Sequence, residues 1–215
     1  MGSLIQNGID WIISIQALGG WLEAPMQFFT FLGSQDFFFL VLPFIYWSID
    51  AGLGMRVAFG LIASVSLNSY FKLWFVGPRP YWVSGNVQGL SAETSFGVPS
   101  GHAQNAMAVW GIIAARIGKR VAWMLAITLA FLIGFSRLYL GVHFVHDVLA
   151  GWALGAAVLW GVLRFWDPVA AWLKSKTVTS QISLAFVMSL VMIALGYASA
   201  ARLDGYIFPE EYRVN

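Results

Sequence analysis

Six long apolar runs, separated by short polar connections or by a glycine- and proline-rich loop, constrain the fold more than any other feature of the sequence. Each run approaches the roughly 20 residues that a helix needs to cross a bilayer. They cover approximately 28–49, 53–74, 100–117, 120–140, 144–164 and 179–201. Backbone groups must be paired in lipid, and the alternating pattern of a barrel is absent. We therefore predict an all-α, polytopic six-span transmembrane helix bundle.

The composition agrees with a membrane protein. Hydrophobic residues make up 59% of the 215 residues and charged residues only 10%, against about a quarter charged in soluble domains. The net charge of +2 is small and the basic residues form no single patch, so we predict no nucleic-acid partner. The chain has no cysteine, which rules out disulfide and thiolate chemistry.

The first 24 residues have a different pattern from the spans. Polar and apolar residues alternate there at helical spacing, with Ser3, Asn7, Asp10 and Ser14 opposite Ile5, Ile9, Ile12 and Ile13. We predict an interfacial amphipathic helix on the membrane surface. The alternative, a short extra span over 4–22, would place Asp10 in hydrocarbon at high cost. The predicted organisation is thus an interfacial segment 1–24, a bundle 25–201 with an outer loop 75–99, and a polar tail 202–215.

The basic residues predict the orientation of the bundle. With the amino terminus outside, the inner loops hold Arg56, Arg116, Lys119, Arg120, Arg164, Lys174 and Lys176. Outside, only Arg202 and Arg213 remain as ordinary charges. The positive-inside rule therefore places both termini on the non-cytoplasmic side. Gly151 and Gly155 are four apart in the fifth span, and we interpret them as helix packing inside the bundle rather than as a dimerisation face.

Several charged residues lie near the predicted outer ends of spans, where the energetic cost of a charge calls for a structural or functional explanation. Even on a mild scale, a charge at mid-bilayer costs about 2.5 to 3.5 kcal/mol. Taken singly, Lys72 and Arg137 are better explained as side chains that snorkel to the interface, the commoner fate of a lone basic residue at a helix end. Asp147, Arg79 and His102 share that face, however, and such convergence is the geometry of a site.

Three sequence blocks contain these residues: KLWFVGPRP from Lys72 to Pro80, PSGH from Pro99 to His102, and SRLYLGVHFVHD from Ser136 to Asp147. Their order and spacing resemble the signature of the type 2 phosphatidic acid phosphatase superfamily. The blocks cover about 25 residues and extend from the second to the fifth span. The first 30 residues and the sixth span lie outside the signature.

The residue types suit a phosphate ester. Lys72, Arg79 and Arg137 can neutralise a dianion, the arginines through bidentate forks. Pro99 suits the start of a helix, whose free amides from about Ser100 to His102 would point at an anion. His143 and Asp147 are four apart, so on one helix they would share a face, and the carboxylate would fix the imidazole tautomer.

The resemblance implies specific roles for these residues. His143 would attack phosphorus to form a phosphohistidine, and His102 would protonate the leaving oxygen and then activate water. The phosphate oxygens would be held by Lys72, Arg79, Ser100, Gly101 and Arg137. Positioned cations can catalyse phosphoryl transfer in this way, and we predict no cofactor and no metal site.

Four other titratable residues receive weaker interpretations. His146 resembles a metal ligand, but no cysteine or second carboxylate is near, so we expect it to border the pocket or to be a satisfied interfacial histidine. Asp36 and Asp50 are expected to be solvated or paired. Glu93, in the long loop, is expected to be solvated or paired as well, with contact to substrate as a weaker alternative.

The substrate is left open among phosphatidate, lysophosphatidate, phosphatidylglycerol phosphate, sphingoid phosphate and polyprenyl diphosphate, because the site lies beside the bilayer. GPRPYW and an outer amino terminus also resemble the glucose-6-phosphatase branch, in which further spans follow the sixth, so the end at Asn215 fits a compact or a shortened protein. A transporter or channel is the non-enzyme alternative, and a vanadium haloperoxidase a smaller one. The oligomeric state is not predicted.

Overall fold

The computed structural model describes residues 3–207, 209 and 210, and these contain helices and connections but no strand. The helices are α1 (Ser3–Gln16), α2 (Glu23–Phe31), α3 (Gln35–Phe44), α4 (Ala51–Phe75), α5 (Pro80–Val83), α6 (Gly101–Ile117), α7 (Arg120–Tyr139), α8 (Val145–Lys174) and α9 (Val178–Ala201). The all-α prediction is confirmed. The side chain of Ser3, and the tail residues 211–215 with Arg213, lie outside the described part of the chain.

Four stretches in the described residues are long and apolar enough to cross a membrane: Ala51–Val83, Arg120–Tyr139, Val145–Lys174 and Val178–Ala201. A fifth results if the bent pair Gly20–Phe31 and Gln35–Ile49 is one span. The helix predicted at 100–117 is present as α6, with 17 residues. Several spans are therefore present, and the count of six stays a prediction.

The predicted first span, 28–49, is not one straight helix. α2 ends at Phe31, and α3 starts after Ser34, whose hydroxyl accepts a hydrogen bond from the amide of Phe37 at 3.1 Å. The two halves are bent by 51°. At the break, a side chain on Gly33 would meet Ile133 at 2.5 Å and the carbonyl oxygen of His102 at 3.3 Å. The break thus lets the chain approach the ends of α6 and α7 closely.

α6 lies at the centre of the bundle and packs against α4, α7 and α8. Its contact with α8 depends on glycine, because a Cβ atom on Gly151 would lie 2.5 Å from the carbonyl oxygen of Ser100. Gly155 faces the carbonyl of Gln104 in the same way. The prediction that these glycines pack inside the bundle is confirmed, and the close approach brings the starts of α6 and α8 together.

α1 packs its apolar side on protein. Ile9 and Ile12 are 3% and 0% exposed and contact Val83, Val87 and Phe144. The opposite side chains of Asn7, Asp10 and Ser14 are exposed. The predicted amphipathic pattern therefore serves an internal contact that the sequence interpretation did not foresee. The position of α1 relative to the membrane stays a prediction.

The end of the bundle opposite α5 is fastened by ion pairs. Arg116 lies 2.6 Å from Asp50, and Arg56 lies 2.7 Å from Asp167. Asp50 also caps α4 by accepting from the amide of Leu53 at 3.0 Å, so its predicted pairing is confirmed. α9 runs along α4 with no buried residue, which leaves its apolar side chains facing outward.

Candidate active site

Successive long helices alternate in direction, so that the end of α4, the start of α6, the end of α7 and the start of α8 meet at one end of the bundle. The predicted site residues lie there. Lys72 and Arg137 are in the last turns of α4 and α7, Arg79 precedes α5, and Ser100 precedes α6. The charges of Lys72, Arg79, Arg137 and His102 all act on the imidazole of His143. Residues separated in sequence thus form one cluster.

His143 is held between a carboxylate and a guanidinium. Its Nδ1 lies 3.2 Å from Asp147 Oδ2, and its Nε2 faces Arg79 Nη1 at 3.4 Å. The imidazole is 1% exposed and Asp147 is fully buried. A charged Asp147 holds the proton on Nδ1 and leaves a lone pair on Nε2, which faces Arg79. That nitrogen points into the cluster of cations.

The predicted reason for the His143–Asp147 contact was wrong. α8 begins at Val145, so His143 precedes the helix and shares no helical face with Asp147. Asp147 instead caps the helix start, because its Oδ2 accepts from the amide of Phe144 at 2.9 Å. The same oxygen receives His143, so the capping turn, and not the helical period, brings the two residues together.

The environment favours the neutral form of His143. Burial lowers the pKa of its imidazole well below the ordinary value of 6.5, and the charges of Arg79, Lys72 and Arg137 lower it further. Burial penalises the cation, and three nearby positive charges repel it. An unprotonated imidazole is the form that can act as a nucleophile.

The start of α6 differs in one detail from the prediction. The amide of Ser100 is not free, since it donates to the carbonyl of Asp147 at 2.9 Å. The hydroxyl of Ser100 accepts from the amide of Ala103 at 3.5 Å. The amides of Gly101 and His102 have no acceptor among the described residues, and they remain the helix-start donors available to an anion.

A buried polar network lies beneath this helix start and was not found from the sequence. The side-chain amide of Asn68 donates to the carbonyl of Pro99 at 3.2 Å and to Gln104 Oε1 at 2.9 Å. Gln104 donates to the carbonyl of Ser64 at 2.7 Å, and the Ser64 hydroxyl donates to Asn105 at 2.7 Å. The network fixes α6 against α4 directly below the motif. Apart from small polar residues at helical spacing in α4, the sequence offers no signal for it.

Each of the three cations is partly held by protein oxygens. Arg79 Nε donates to the carbonyl of Ser95 at 2.7 Å, and Lys72 Nζ donates to the carbonyl of Phe96 at 2.5 Å. Arg137 donates to the hydroxyl of Thr30. Arg79 and Arg137 are 0% and 1% exposed. Thr30, in α2, was another contact that the sequence did not reveal.

Glu93 joins the two arginines. Its Oε2 lies 3.4 Å from Arg79 Nη2, and its Oε1 pairs with Arg137 Nη2. The prediction that Glu93 is solvated or paired is confirmed as pairing. Its partners, however, are the two arginines expected to hold phosphate. An acidic side chain in an anion site was not expected from the sequence.

His146 lies beside the site rather than in it. Its side chain is 57% exposed, its ring stacks on Phe144, and its Nε2 is 3.1 Å from Asp147 Oδ1. Among the described residues, that oxygen of Asp147 accepts no hydrogen bond, so the contact with His146 is one of proximity alone. In the part of the chain that the structure describes, no three His, Cys, Asp or Glu residues form a group that could hold a metal ion.

Known proteins resemble this chain in sequence and in fold. The sequence model of the PAP2 superfamily matches residues 53–171. Phosphatidylglycerophosphatase B of Bacillus subtilis is 34% identical over 160 residues, which cover 67% of this chain and 75% of that protein. Human glucose-6-phosphatase 3 is 30% identical over 185 residues, 74% of this chain and 53% of that protein. The crystal structure of a transmembrane PAP2-type phosphatidylglycerolphosphate phosphatase from Bacillus subtilis superposes with a TM-score of 0.66 at 30% identity, covering 78% of this chain and 89% of that one.

Proposed function

The chain belongs to the PAP2 superfamily, whose phosphatases need no metal ion, and from this premise we propose that it hydrolyses a lipid phosphate at the membrane surface through a phosphohistidine. One observation carries the proposal most directly. The buried imidazole of His143 is held by Asp147 on one side, and on the other it presents Nε2 to Arg79 at 3.4 Å. A phosphoryl group bound beside Nε2 would contact both the nucleophile and the Arg79 cation.

The proposed reaction has two displacements. His143 Nε2 forms a bond to phosphorus while the bond to the leaving oxygen breaks, and His102 gives that oxygen a proton. His102 then takes a proton from a water molecule that attacks phosphorus, which releases phosphate and restores His143. Lys72, Arg79 and Arg137, with the amides of Gly101 and His102, stabilise the charge on the phosphoryl oxygens. Asp147 stabilises the positive charge that His143 acquires.

A lipid substrate is favoured by the position of the site. The site lies at the ends of membrane helices whose outer faces are apolar, so that a lipid presents its phosphate while its tail stays in the bilayer. Phosphatidylglycerophosphatase B supports the same class. The second candidate is a sugar phosphate, supported by the likeness to glucose-6-phosphatase 3. The chain spans about half the length of those glucose-6-phosphatases, 53%.

A substrate panel tests this proposal. Protein purified in detergent should release inorganic phosphate in EDTA, and faster from phosphatidylglycerol phosphate, phosphatidate or a prenyl diphosphate than from glucose 6-phosphate. Vanadate, which mimics pentacoordinate phosphorus, should inhibit. Failure to release phosphate from any member would contradict the proposal, and a preference for the sugar phosphate would support the second candidate. Substrate flux without hydrolysis in proteoliposomes would instead indicate a transporter.

The proposed orientation places the site and both termini on the non-cytoplasmic side. Support comes from the basic residues Arg116, Lys119 and Arg120, which lie at the opposite end of the bundle from the site. The chain has no cysteine, so single cysteines at exposed Thr94 and Lys119 give clean reporters in intact cells. Thr94→Cys should react with an impermeant maleimide and Lys119→Cys should not. The reverse pattern would invert the orientation.

A further inference from the structure

The carboxylate of Glu93 lies where an anion is expected to bind. It contacts Arg79 through one oxygen and Arg137 through the other, which is how a phosphate would join two arginines. Its side chain is 19% exposed, so it reaches the site from the loop and is not sealed inside. One negative group thus already lies between the two guanidinium groups of the site.

Each nitrogen of the Arg79 guanidinium already contacts acceptors in the protein. A guanidinium carries five N–H groups. Nε donates to the carbonyl of Ser95. Nη1 donates to the carbonyl of Val142 at 2.9 Å and faces His143 Nε2 at 3.4 Å. Nη2 faces Glu93 at 3.4 Å and also contacts Ser95 Oγ and the carbonyl of Phe96, both at 3.2 Å. A phosphate therefore has to replace existing contacts, and the long contact to Glu93 is the one that it can reproduce.

The backbone around Glu93 is held by hydrogen bonds that do not involve the Glu93 carboxylate. Tyr81 donates its hydroxyl to the carbonyl of Glu93 at 3.1 Å, and the amide of Gly97 donates to the carbonyl of Gly77 at 2.8 Å. The neighbouring Thr94 side chain is exposed. The side chain of Glu93 can thus leave the arginines and return while the loop keeps its path.

We propose that Glu93 is an internal competitor for the phosphate seat, the position between Arg79 and Arg137: its carboxylate pairs with both arginines, gives way to the substrate phosphate, and returns to displace the inorganic phosphate product. This inference rests on the proposed function. A buried site with three cations would otherwise retain its dianionic product, and product release limits many enzymes. Competition by Glu93 raises the apparent dissociation constant of every phosphate-like anion by the reciprocal of the fraction of time that the carboxylate leaves the seat free.

Glu93→Gln tests the inference because it keeps the size of the side chain and removes its charge. If the carboxylate occupies the seat about nine-tenths of the time, the inhibition constants for inorganic phosphate and vanadate should fall by about tenfold. Asp10→Asn is the matched control, since Asp10 is exposed on α1 and its change removes the same charge elsewhere. That control should leave both constants unchanged. Equal or higher constants in Glu93→Gln would overturn the inference, because Glu93 would then organise the arginines or not affect binding.

Thermal unfolding supplies a second measurement. Removal of Glu93 leaves two buried arginines without their anion, so Glu93→Gln should unfold at a lower temperature, and saturating vanadate should raise that temperature more than in the parent protein. An equal rise would contradict the inference. If Glu93→Gln does not fold, Glu93→Asp replaces it, since a side chain one methylene shorter cannot reach both arginines and should lower both constants by about threefold. A parent protein without phosphatase activity would refute the proposed function; an active parent with unaltered constants in the variants would refute this inference alone.

Discussion

The amide of Ser100 donates a hydrogen bond to the carbonyl of Asp147, with 2.9 Å between nitrogen and oxygen. This bond joins the first turn of α6, which offers amides to phosphate, to the first turn of α8, which orients His143. The two halves of the proposed chemistry are therefore positioned by one contact between helix starts. Gly151 lies one turn further along α8, against the carbonyl of Ser100, and permits the approach.

Gly151→Ala should separate these helix starts. Its Cβ would lie 2.5 Å from the carbonyl oxygen of Ser100, so α8 must shift, at a cost of about 1 to 3 kcal/mol. Gly161→Ala is the control in the same helix, because nothing lies within 4 Å of its added Cβ. The stability in detergent and the rate of phosphate release should both fall in Gly151→Ala and stay unchanged in Gly161→Ala. Equal stability of the two variants would show that the contact does not matter.

His143→Ala and His146→Ala should have very different effects. The first removes the proposed nucleophile and should lower kcat by at least about a thousandfold while the protein stays folded. The second removes an exposed ring that stacks on Phe144 and lies near Oδ1 of Asp147, and we expect a loss within about tenfold. Rates and unfolding temperatures of both variants check this. Substantial activity in His143→Ala would be incompatible with the proposed intermediate.

The lowered pKa of His143 predicts the acid side of the pH profile. The proposed nucleophile acts unprotonated, and its pKa lies well below 6.5. As the pH falls, protonation of His143 should therefore lower kcat/KM only in solution more acidic than pH 6.5. Two substrates with different phosphate pKa values separate the titration of the enzyme from that of the substrate. A limb common to both substrates at or above 6.5 would contradict the prediction.

Asn68→Ala should disturb the site from below. It removes hydrogen bonds to the carbonyl of Pro99 and to Gln104, and leaving these buried groups unpaired costs about 1 to 3 kcal/mol. A displaced helix start should also weaken vanadate inhibition. Ser69→Ala, at the adjacent exposed position whose hydroxyl bonds only to its own helix, should change neither quantity. If both variants bind vanadate like the parent, Asn68 has a structural role alone.

The sequence predicts the residues of the cluster better than the geometry that joins them. The three blocks drew attention to Lys72, Arg79, His102, Arg137 and Asp147. Charged residues make up only 10% of the chain, so those near span ends have few structural explanations. The contact between His143 and Asp147 was predicted for the wrong reason. Helical spacing implies a shared face, whereas His143 lies in the capping turn and the helix begins only two residues later, at Val145.

Contacts made across long sequence separations were missed. Glu93 and Thr30 lie 44 and 107 residues from Arg137, and no local pattern marks either as its partner. The break in the predicted span 28–49 depends on how closely Gly33 approaches α6 and α7, which is a property of packing and not of hydropathy. The apolar face of α1 was assigned to lipid for the same reason, since a hydrophobic stripe does not specify what covers it.

We expect that the segment matched by the superfamily, 53–171, is not an autonomous catalytic unit in this chain. The Thr30 partner of Arg137 precedes it, and so do Ile9 and Ile12, which cover Phe144 beside His143. A fragment trimmed to the matched boundaries would retain the whole signature. It would lose the hydroxyl that accepts a hydrogen bond from Arg137 and the apolar side chains that cover Phe144 beside His143. Engineers seeking a minimal phosphatase from this scaffold should therefore begin no later than α1.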